Sequence, residues 1–179
     1  MATEHAFAPY VRALGKGKNG TRSLSQDEAR DAMSMILQQQ VEPEQLGAFL
    51  MLLRIKEETP AELAGFVEAV RHYHSYSATK VSGIEVDIDW STYAGKKRHL
   101  PWFLLSALTL AGQGIKVFMH GAKGHTPGRI YSEDVLQQLG LPVAQNWHQV
   151  ETQLNSGNFS FMSLQHLSPP LERIINLRA

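Results

Sequence analysis

The sequence has 179 residues, of which 43% are hydrophobic and 19% charged, and its 17 basic and 17 acidic side chains give a formal net charge of zero. This composition is typical of a globular protein with a real core and excludes a disordered or fibrous chain. Without a net charge, any attraction to nucleic acid or to an anionic membrane must come from a local patch. The absence of cysteine excludes disulfides, thiolate metal sites and cysteine nucleophiles.

No segment of the sequence predicts export or membrane insertion. The first residues lack the basic-then-apolar order of a signal peptide. No apolar run reaches the roughly 18 residues that a membrane-spanning helix needs, and the run from Phe103 to Ala111 is better explained as a buried helix. We therefore expect a cytoplasmic protein with no membrane partner.

Residues 1–75 are predicted to form a bundle of short helices. Ser25-Gln-Asp-Glu28 and Thr59-Pro-Ala-Glu62 have the spacing of capping boxes, in which the hydroxyl and the glutamate each accept a backbone N–H. The helices should bury apolar stripes at helical spacing. These stripes are Phe7, Val11 and Leu14; Met33, Ile36 and Leu37; Leu46, Phe49, Leu50 and Leu53; and Leu63, Phe66, Val67 and Val70.

Residues 76–179 alternate between strand and helix patterns, which predicts a parallel α/β sheet. A helix should begin at a Ser132 cap and end at Gly140. Three strands make a small sheet, so this domain is expected to be incomplete. The predicted strands are IEVDID at 84–89, IKVFMH at 115–120 and FSFMSL at 159–164.

Residues 24–70 resemble the helical N-terminal domain of the anthranilate phosphoribosyltransferase family (glycosyltransferase family 3). The register "EA…M…IL…V…QLGAFLM…LR…K…ETP…EL…GF" runs without a gap. The likeness continues through IKVFMHG and SEDVLQQLGL, so it covers nearly the whole chain. It implies an α/β domain of the phosphoribosyltransferase-like type at 76–179. It also implies a homodimer through the N-terminal helices, whose surplus apolar face would otherwise be exposed.

The sequence departs from the catalytic members of that family where they bind the pyrophosphate of phosphoribosyl pyrophosphate. The resemblance places their Gly-Thr-Gly-Gly-Asp loop on residues 90–94, which read Trp-Ser-Thr-Tyr-Ala. Glycines in such a loop let backbone amides approach a phosphate closely. The family's Lys-His-Gly-Asn turn falls on 119–122, which read Met-His-Gly-Ala, and its magnesium-holding acidic pair would fall beyond residue 179. The resemblance therefore implies a degenerate site with no catalytic residue.

Three short loops resemble the divergent YbiB-like branch of the family, which is associated with nucleic-acid binding. They are YAGKKRH at 93–99, GKGKNG at 15–20 and TPGR at 126–129. No acidic residue occurs between Ser91 and Ser132, and loops that follow parallel strands converge at one edge of a sheet. A basic face is therefore predicted there, able to contact phosphates without reading sequence.

The candidate residues for phosphate or nucleic-acid binding come from these loops, and tryptophans near them could stack on bases. The tryptophans are Trp90 and Trp102. The candidate binding residues are Lys16, Lys18, Arg22, Tyr93, Lys96, Lys97, Arg98, His120, Lys123 and Arg129.

Three interpretations of function stay open, and the first is preferred. The chain is a non-catalytic protein that binds nucleic acid or another polyanion and needs no cofactor. Alternatively, it is a transferase that uses phosphoribosyl pyrophosphate and Mg²⁺ to modify an aromatic amine or base, with backbone amides of residues 91–95 and the following helix holding the pyrophosphate. Thirdly, it is the N-terminal half of a longer protein. Enzymatic activity is thus left uncertain.

No metal site is predicted. Asp87 and Asp89 point the same way along their predicted strand and could bind magnesium. However, no third ligand is evident near them, and exposed strand carboxylates are common. The eight histidines show no metal-binding spacing.

Overall fold

The computed structural model describes residues 4–17, 19–77, 84–92, 97–124 and 126–177. Within the chain, contacts define two compact units, each described by itself below.

In the first unit, Met1–Lys80, the regular structure of the described residues is helical, as predicted. Its helices are α1 (Ala8–Gly15), α2 (Gln26–Leu37), α3 (Pro43–Lys56) and α4 (Pro60–Ser77).

Both predicted capping boxes are confirmed. The backbone N–H of Glu28 donates to Ser25 Oγ at 3.2 Å, and the N–H of Ser25 donates to Glu28 Oε2 at 2.9 Å. The Thr59 N–H donates to Glu62 Oε2 at 2.8 Å, and the Glu62 N–H returns a bond to Thr59 Oγ1 at 3.3 Å. Each cap satisfies helix-end donors that would otherwise lack partners and contributes about 1 kcal/mol.

The core of the first unit is built around aromatic and leucine side chains. The rings of Phe7 and Phe49 pack with centroids 5.2 Å apart, and both residues are fully buried, as is Leu37. Helices α2 and α4 approach closely because Gly65 has no side chain. A Cβ there would lie 2.8 Å from the backbone nitrogen of Arg30.

The predicted buried stripe of α4 is wrong at two positions. Leu63 is 51% exposed and Val67 48% exposed, because the side of α4 that carries them is not covered by other helices of its unit. Two residues of α3 are also apolar and exposed, Met51 at 60% and Ile55 at 75%. Helical spacing thus identifies an apolar stripe, but it does not show whether other helices of the same unit pack against that stripe.

The second unit, Val81–Ala179, contains a parallel sheet whose strands lie in the order β1-β2-β3. The register pairs Trp90 with Met119, and Met119 with Phe161. Helices cover both faces, so the predicted small parallel α/β sheet is confirmed. The elements are β1 (Ile88–Thr92), α5 (Phe103–Gly112), β2 (Val117–Gly121), α6 (Ser132–Gln138), α7 (Trp147–Gly157), β3 (Phe159–Ser163), α8 (Leu164–Leu167) and α9 (Pro169–Asn176).

The first strand begins and ends later than the sequence predicts. Its ladder starts at Ile88, because the carboxylate of Asp87 accepts the backbone N–H of Lys116 at 2.7 Å and holds the chain just ahead of β2. Ile84 and Val86 precede the strand and instead pack on the cluster around Phe118. The alternation at 84–87 thus reflects burial rather than strand pairing. The strand then continues through Trp90–Thr92, which the sequence had assigned to a loop.

The predicted Ser132 cap of α6 is also wrong by one position. Tyr131 occupies the N-cap with extended backbone, and Ser132 is the first helical residue, buried in the unit. The cap of α7 is a side chain: the carboxamide oxygen of Asn146 accepts the N–H of Gln149 at 3.0 Å.

Candidate functional site

The carboxyl ends of the strands meet at one edge of the sheet, which we call the carboxyl edge. Thr92 pairs with Gly121, and Gly121 with Ser163, in the last row of the ladder. In open parallel α/β sheets this edge is where ligands bind, since the loops that leave it are the ones able to surround a ligand. The loops after β1 and β2 carry five of the basic residues singled out in the sequence, namely Lys96, Lys97, Arg98, Lys123 and Arg129.

Side chains fill the space between the end of β1 and the start of α5. Trp90 is partly buried, and its ring packs on Phe103, the first residue of α5, with centroids 6.0 Å apart. Both belong to the cluster around Val117 and Met119. The start of α5 therefore rests on an indole ring.

The ends of β1 and β2 are also tightly packed. Thr92 Oγ1 donates to the carbonyl of His120 at 3.1 Å. A Cβ at Gly121 would lie 2.9 Å from the carbonyl oxygen of Thr92 and would clash with its hydroxyl, so glycine is needed there. The hydroxyl of Thr92 occupies the room that this glycine leaves.

His120 lies on the opposite face of the sheet from Trp90. Its Nε2 atom is 3.1 Å from Asp89 Oδ1, and its ring packs beside Phe118 with centroids 5.7 Å apart. Asp89 is exposed, whereas the neighbouring acid, Asp87, accepts a backbone N–H from Lys116. The two aspartates therefore have separate partners and do not act as a pair.

Lys123 is neutralised by a glutamate that the sequence analysis did not single out. Its Nζ atom lies 2.5 Å from Oε1 of Glu133, whose side chain is only 9% exposed. Gln137 Nε2 also donates to Oε1, at 3.3 Å, whereas Oε2 is buried and has no hydrogen-bond partner among the described residues. The signal available in the sequence was that Glu133 is the first acidic residue after the long stretch without acids.

The loop after β2 is closed by a tyrosine. The Tyr131 hydroxyl accepts the N–H of Thr126 at 3.0 Å and donates to the Thr126 carbonyl at 3.1 Å. Gly124 and Gly128 have positive φ, at 80° and 70°, a conformation that glycine adopts without strain. Arg129 lies in this loop, partly buried.

The loop before α5 presents its side chains to solvent. Lys97, Arg98 and His99 are exposed, and Trp102 is exposed to 63%. Tyr93 and Lys96, predicted to bind phosphate beside them, lie outside the described residues. Among the residues that the structure describes at the carboxyl edge, Lys97 and Arg98 are thus exposed cations, whereas Lys123 has a carboxylate partner.

The two described cations in the basic loop of the first unit are both exposed, but one of them has a carboxylate partner. Lys16, just after α1, is exposed. Arg22 instead donates two hydrogen bonds to the carboxylate of Glu28, at 2.6 and 2.7 Å. The guanidinium, and secondly the N–H of Ser25, lower the pKa of Glu28 from 4.5 to about 2. Lys18 lies outside the described residues.

A serine and a histidine at the end of β3 form a further polar contact that the sequence analysis missed. The Oγ atom of Ser163 is 3.0 Å from Nδ1 of His166. Ser163 is the residue before α8 and is buried, and His166 lies three residues on, which is the spacing of a local helix-start contact.

Across the described ranges, no helix is both long and apolar enough to cross a bilayer.

These features define a class: a helical bundle followed by a parallel α/β unit with a basic carboxyl edge. Residues 8–73 match the family described as "Glycosyl transferase family, helical bundle domain". The chain is 30% identical over 172 residues to the uncharacterized protein YbiB of Escherichia coli (strain K12), covering 96% of this chain and 53% of YbiB. It is also 27% identical over 169 residues to an anthranilate phosphoribosyltransferase of Dictyoglomus turgidum. This match covers 94% of this chain and 48% of that enzyme.

A solved structure has the same fold. The crystal structure of anthranilate phosphoribosyltransferase (TrpD) from Thermus thermophilus matches with a TM-score of 0.66 at 21% identity, covering 94% of this chain and 53% of that one. The chain thus spans about half the length of the relatives it matches. Its helical bundle matches the family model of the glycosyl transferases, and the chain as a whole is similar to anthranilate phosphoribosyltransferases of glycosyltransferase family 3 and to YbiB.

Proposed function

We propose that this chain is a non-catalytic member of its family that binds nucleic acid, or another polyanion, through basic loops. The observation that carries the proposal is that side chains fill the space at the carboxyl end of β1. Trp90 packs under α5 and Thr92 fills the space beside Gly121. Backbone amides need open space to wrap a pyrophosphate, so these side chains disfavour a small cradle.

Cations just beyond the filled strand end support the second half of the proposal. Lys97 and Arg98 are exposed, and α5 has no acidic residue in its first turn. Exposed lysine and arginine side chains bind the phosphate backbone by releasing its counterions, which gives affinity without sequence specificity. The same argument extends to the exposed Lys16 in the first unit.

Salt-dependent binding tests this function. Fluorescence anisotropy of a labelled strand should show an affinity that falls steeply with salt. The Lys97→Ala/Arg98→Ala variant should bind more weakly and with a smaller salt slope, and the loss should be similar for strands of unrelated sequence. Lys116→Ala is the matched control, since it removes a charge next to the amino end of β2, at the opposite edge of the sheet. Binding that is absent at low salt, or insensitive to salt, would contradict the proposal.

A transferase that uses phosphoribosyl pyrophosphate is the second candidate, favoured by the family and by the open N-terminus of α5, which lacks a side-chain cap. The metal partner of such a substrate fits poorly, because Asp87 and Asp89 have separate contacts and the described ranges hold no group of three metal-ligating side chains. Calorimetry with phosphoribosyl pyrophosphate and Mg²⁺ decides between the two. Heat that saturates at millimolar substrate would favour the transferase.

The exposed apolar side chains of α3 and α4 support a homodimer as part of the same proposal. Met51, Ile55, Leu63 and Val67 are each about half exposed or more. Large apolar residues on two helices of one unit are typical of a protein interface. A second copy of the chain is the occupant that we propose, since the same face would then cover itself by twofold symmetry.

A further inference from the structure

We propose that Trp102 is a stacking platform for an unpaired base, so that the carboxyl edge prefers single-stranded over double-stranded nucleic acid. This inference rests on the proposed nucleic-acid binding and specifies its ligand. Of the two tryptophans predicted to stack, Trp90 is already engaged, because its ring packs on Phe103. Trp102 is 63% exposed and has no ring contact with any described residue.

The backbone that carries Trp102 is fixed. Its N–H donates to the Leu100 carbonyl at 2.8 Å, and its carbonyl accepts the N–H of Leu105 at 3.0 Å. Pro101 restricts the chain on one side, and α5 begins on the other. An aromatic ring presented from a rigid backbone gives a large contact area with little loss of side-chain entropy on binding.

Two cations lie close enough to Trp102 in sequence to contact the phosphates of a nucleotide whose base stacks on its ring. Arg98 is four residues away, at most about 14 Å along an extended chain, and Lys97 is its neighbour; both are exposed. A ring that stacks and cations that contact the backbone are the two parts of a single-strand binding surface. This charge favours a nucleic acid over an apolar protein segment as the occupant.

Strandedness follows from which base surfaces are accessible. In a duplex both faces of each internal base are already stacked on neighbours, so Trp102 has nothing to bind there. In a single strand each base has an accessible π-face, and stacking on an aromatic side chain is tolerant of sequence. The cations contact phosphates in both cases. Trp102 should therefore add affinity for the single strand alone.

The test measures binding by fluorescence anisotropy to three labelled ligands of about 20 nucleotides, longer than common binding sites. They are a mixed-sequence single strand, the same strand in a duplex, and an abasic strand with the same phosphates. Trp102→Ala should weaken binding to the single strand by about 5- to 150-fold and leave the duplex and the abasic strand unchanged. Trp102→Phe should retain most of the single-strand affinity.

Leu105→Ala is the matched control, since Leu105 is a comparably exposed apolar residue (55%) one turn along α5. It should leave all three affinities unchanged, and circular dichroism should confirm that each variant folds. The inference is overturned if Trp102→Ala binds the single strand as the parent does, or loses the same factor on all three ligands. If the parent itself binds none of them, the proposed function fails, and this inference with it.

Discussion

The Nζ atom of Lys123 lies 2.5 Å from Oε1 of Glu133, so one of the cations at the carboxyl edge already has a buried counterion. Glu133 is poorly solvated, with its second carboxylate oxygen unpartnered among the described residues. A phosphate approaching Lys123 must therefore compete with a fixed negative charge. Glu133 should therefore limit how strongly the proposed site binds anions.

Glu133→Gln should raise the affinity for nucleic acid, because Lys123 then has no charged competitor. We expect a gain of up to about 1 kcal/mol, or roughly fivefold, and a salt slope steeper by about 0.7 for a single strand, as one more phosphate is contacted. Salt titrations monitored by anisotropy measure both. Asp134→Asn removes the same charge from the next position of α6, and an equal gain there would assign the effect to net charge rather than to Lys123.

The ion pair between Arg22 and Glu28 should make the first unit sensitive to acid. The folded pKa of Glu28 is lowered from 4.5 to about 2, so its carboxylate contributes stability above about pH 4.5 that is lost as the pH falls toward 2. Arg22→Met should therefore lower the thermal midpoint at neutral pH and have little effect near pH 2. Both side chains are partly exposed, and salt should reduce the difference.

Arg30→Met is the control for that measurement, because it removes a charge from α2 that pairs with Asp27 and Asp31 rather than with Glu28. A decrease of the Arg22→Met midpoint that is the same at every pH would contradict the assignment to Glu28.

Glu62 should be the most costly polar residue to remove from the first unit. Its side chain is fully buried and accepts hydrogen bonds from the N–H of Leu24 at 2.9 Å, from Lys56 Nζ at 2.7 Å and from Thr59. Glu62→Ala leaves the N–H groups of Leu24 and Thr59 without this acceptor and the ammonium of Lys56, whose side chain is 15% exposed, without its counterion, which should cost about 3–5 kcal/mol. Thr59→Ala removes only the cap and should cost about 1 kcal/mol. Urea unfolding compares them, and equal losses would show that Glu62 acts merely as a cap partner.

The sequence predicted those contacts that depend on neighbours along the chain. Ser25 and Glu28 are three residues apart, and their capping box formed as the spacing indicates. The start of β1 could not be predicted in this way, because it is set by Asp87 bonding to Lys116, 29 residues on. The same limit explains Glu133: its partner Lys123 is ten residues away across a loop, and no local pattern links them.

Periodicity had a different limit in the first unit, since it predicts an apolar face but not what covers it. Ile55 is 75% exposed on α3, and the proposed homodimer would bury it against a second copy. Ile55→Asp should then convert a dimer into a monomer in multi-angle light scattering, because an unpaired carboxylate in an apolar interface costs several kcal/mol. Leu139→Asp places the same charge on a comparably exposed leucine of the second unit (57%) and should leave the mass unchanged. A parent chain that is already monomeric at high concentration would exclude this interface. If the Ile55→Asp and Leu139→Asp variants both fall from the dimer mass to the monomer mass, the effect comes from the added charge rather than from its position.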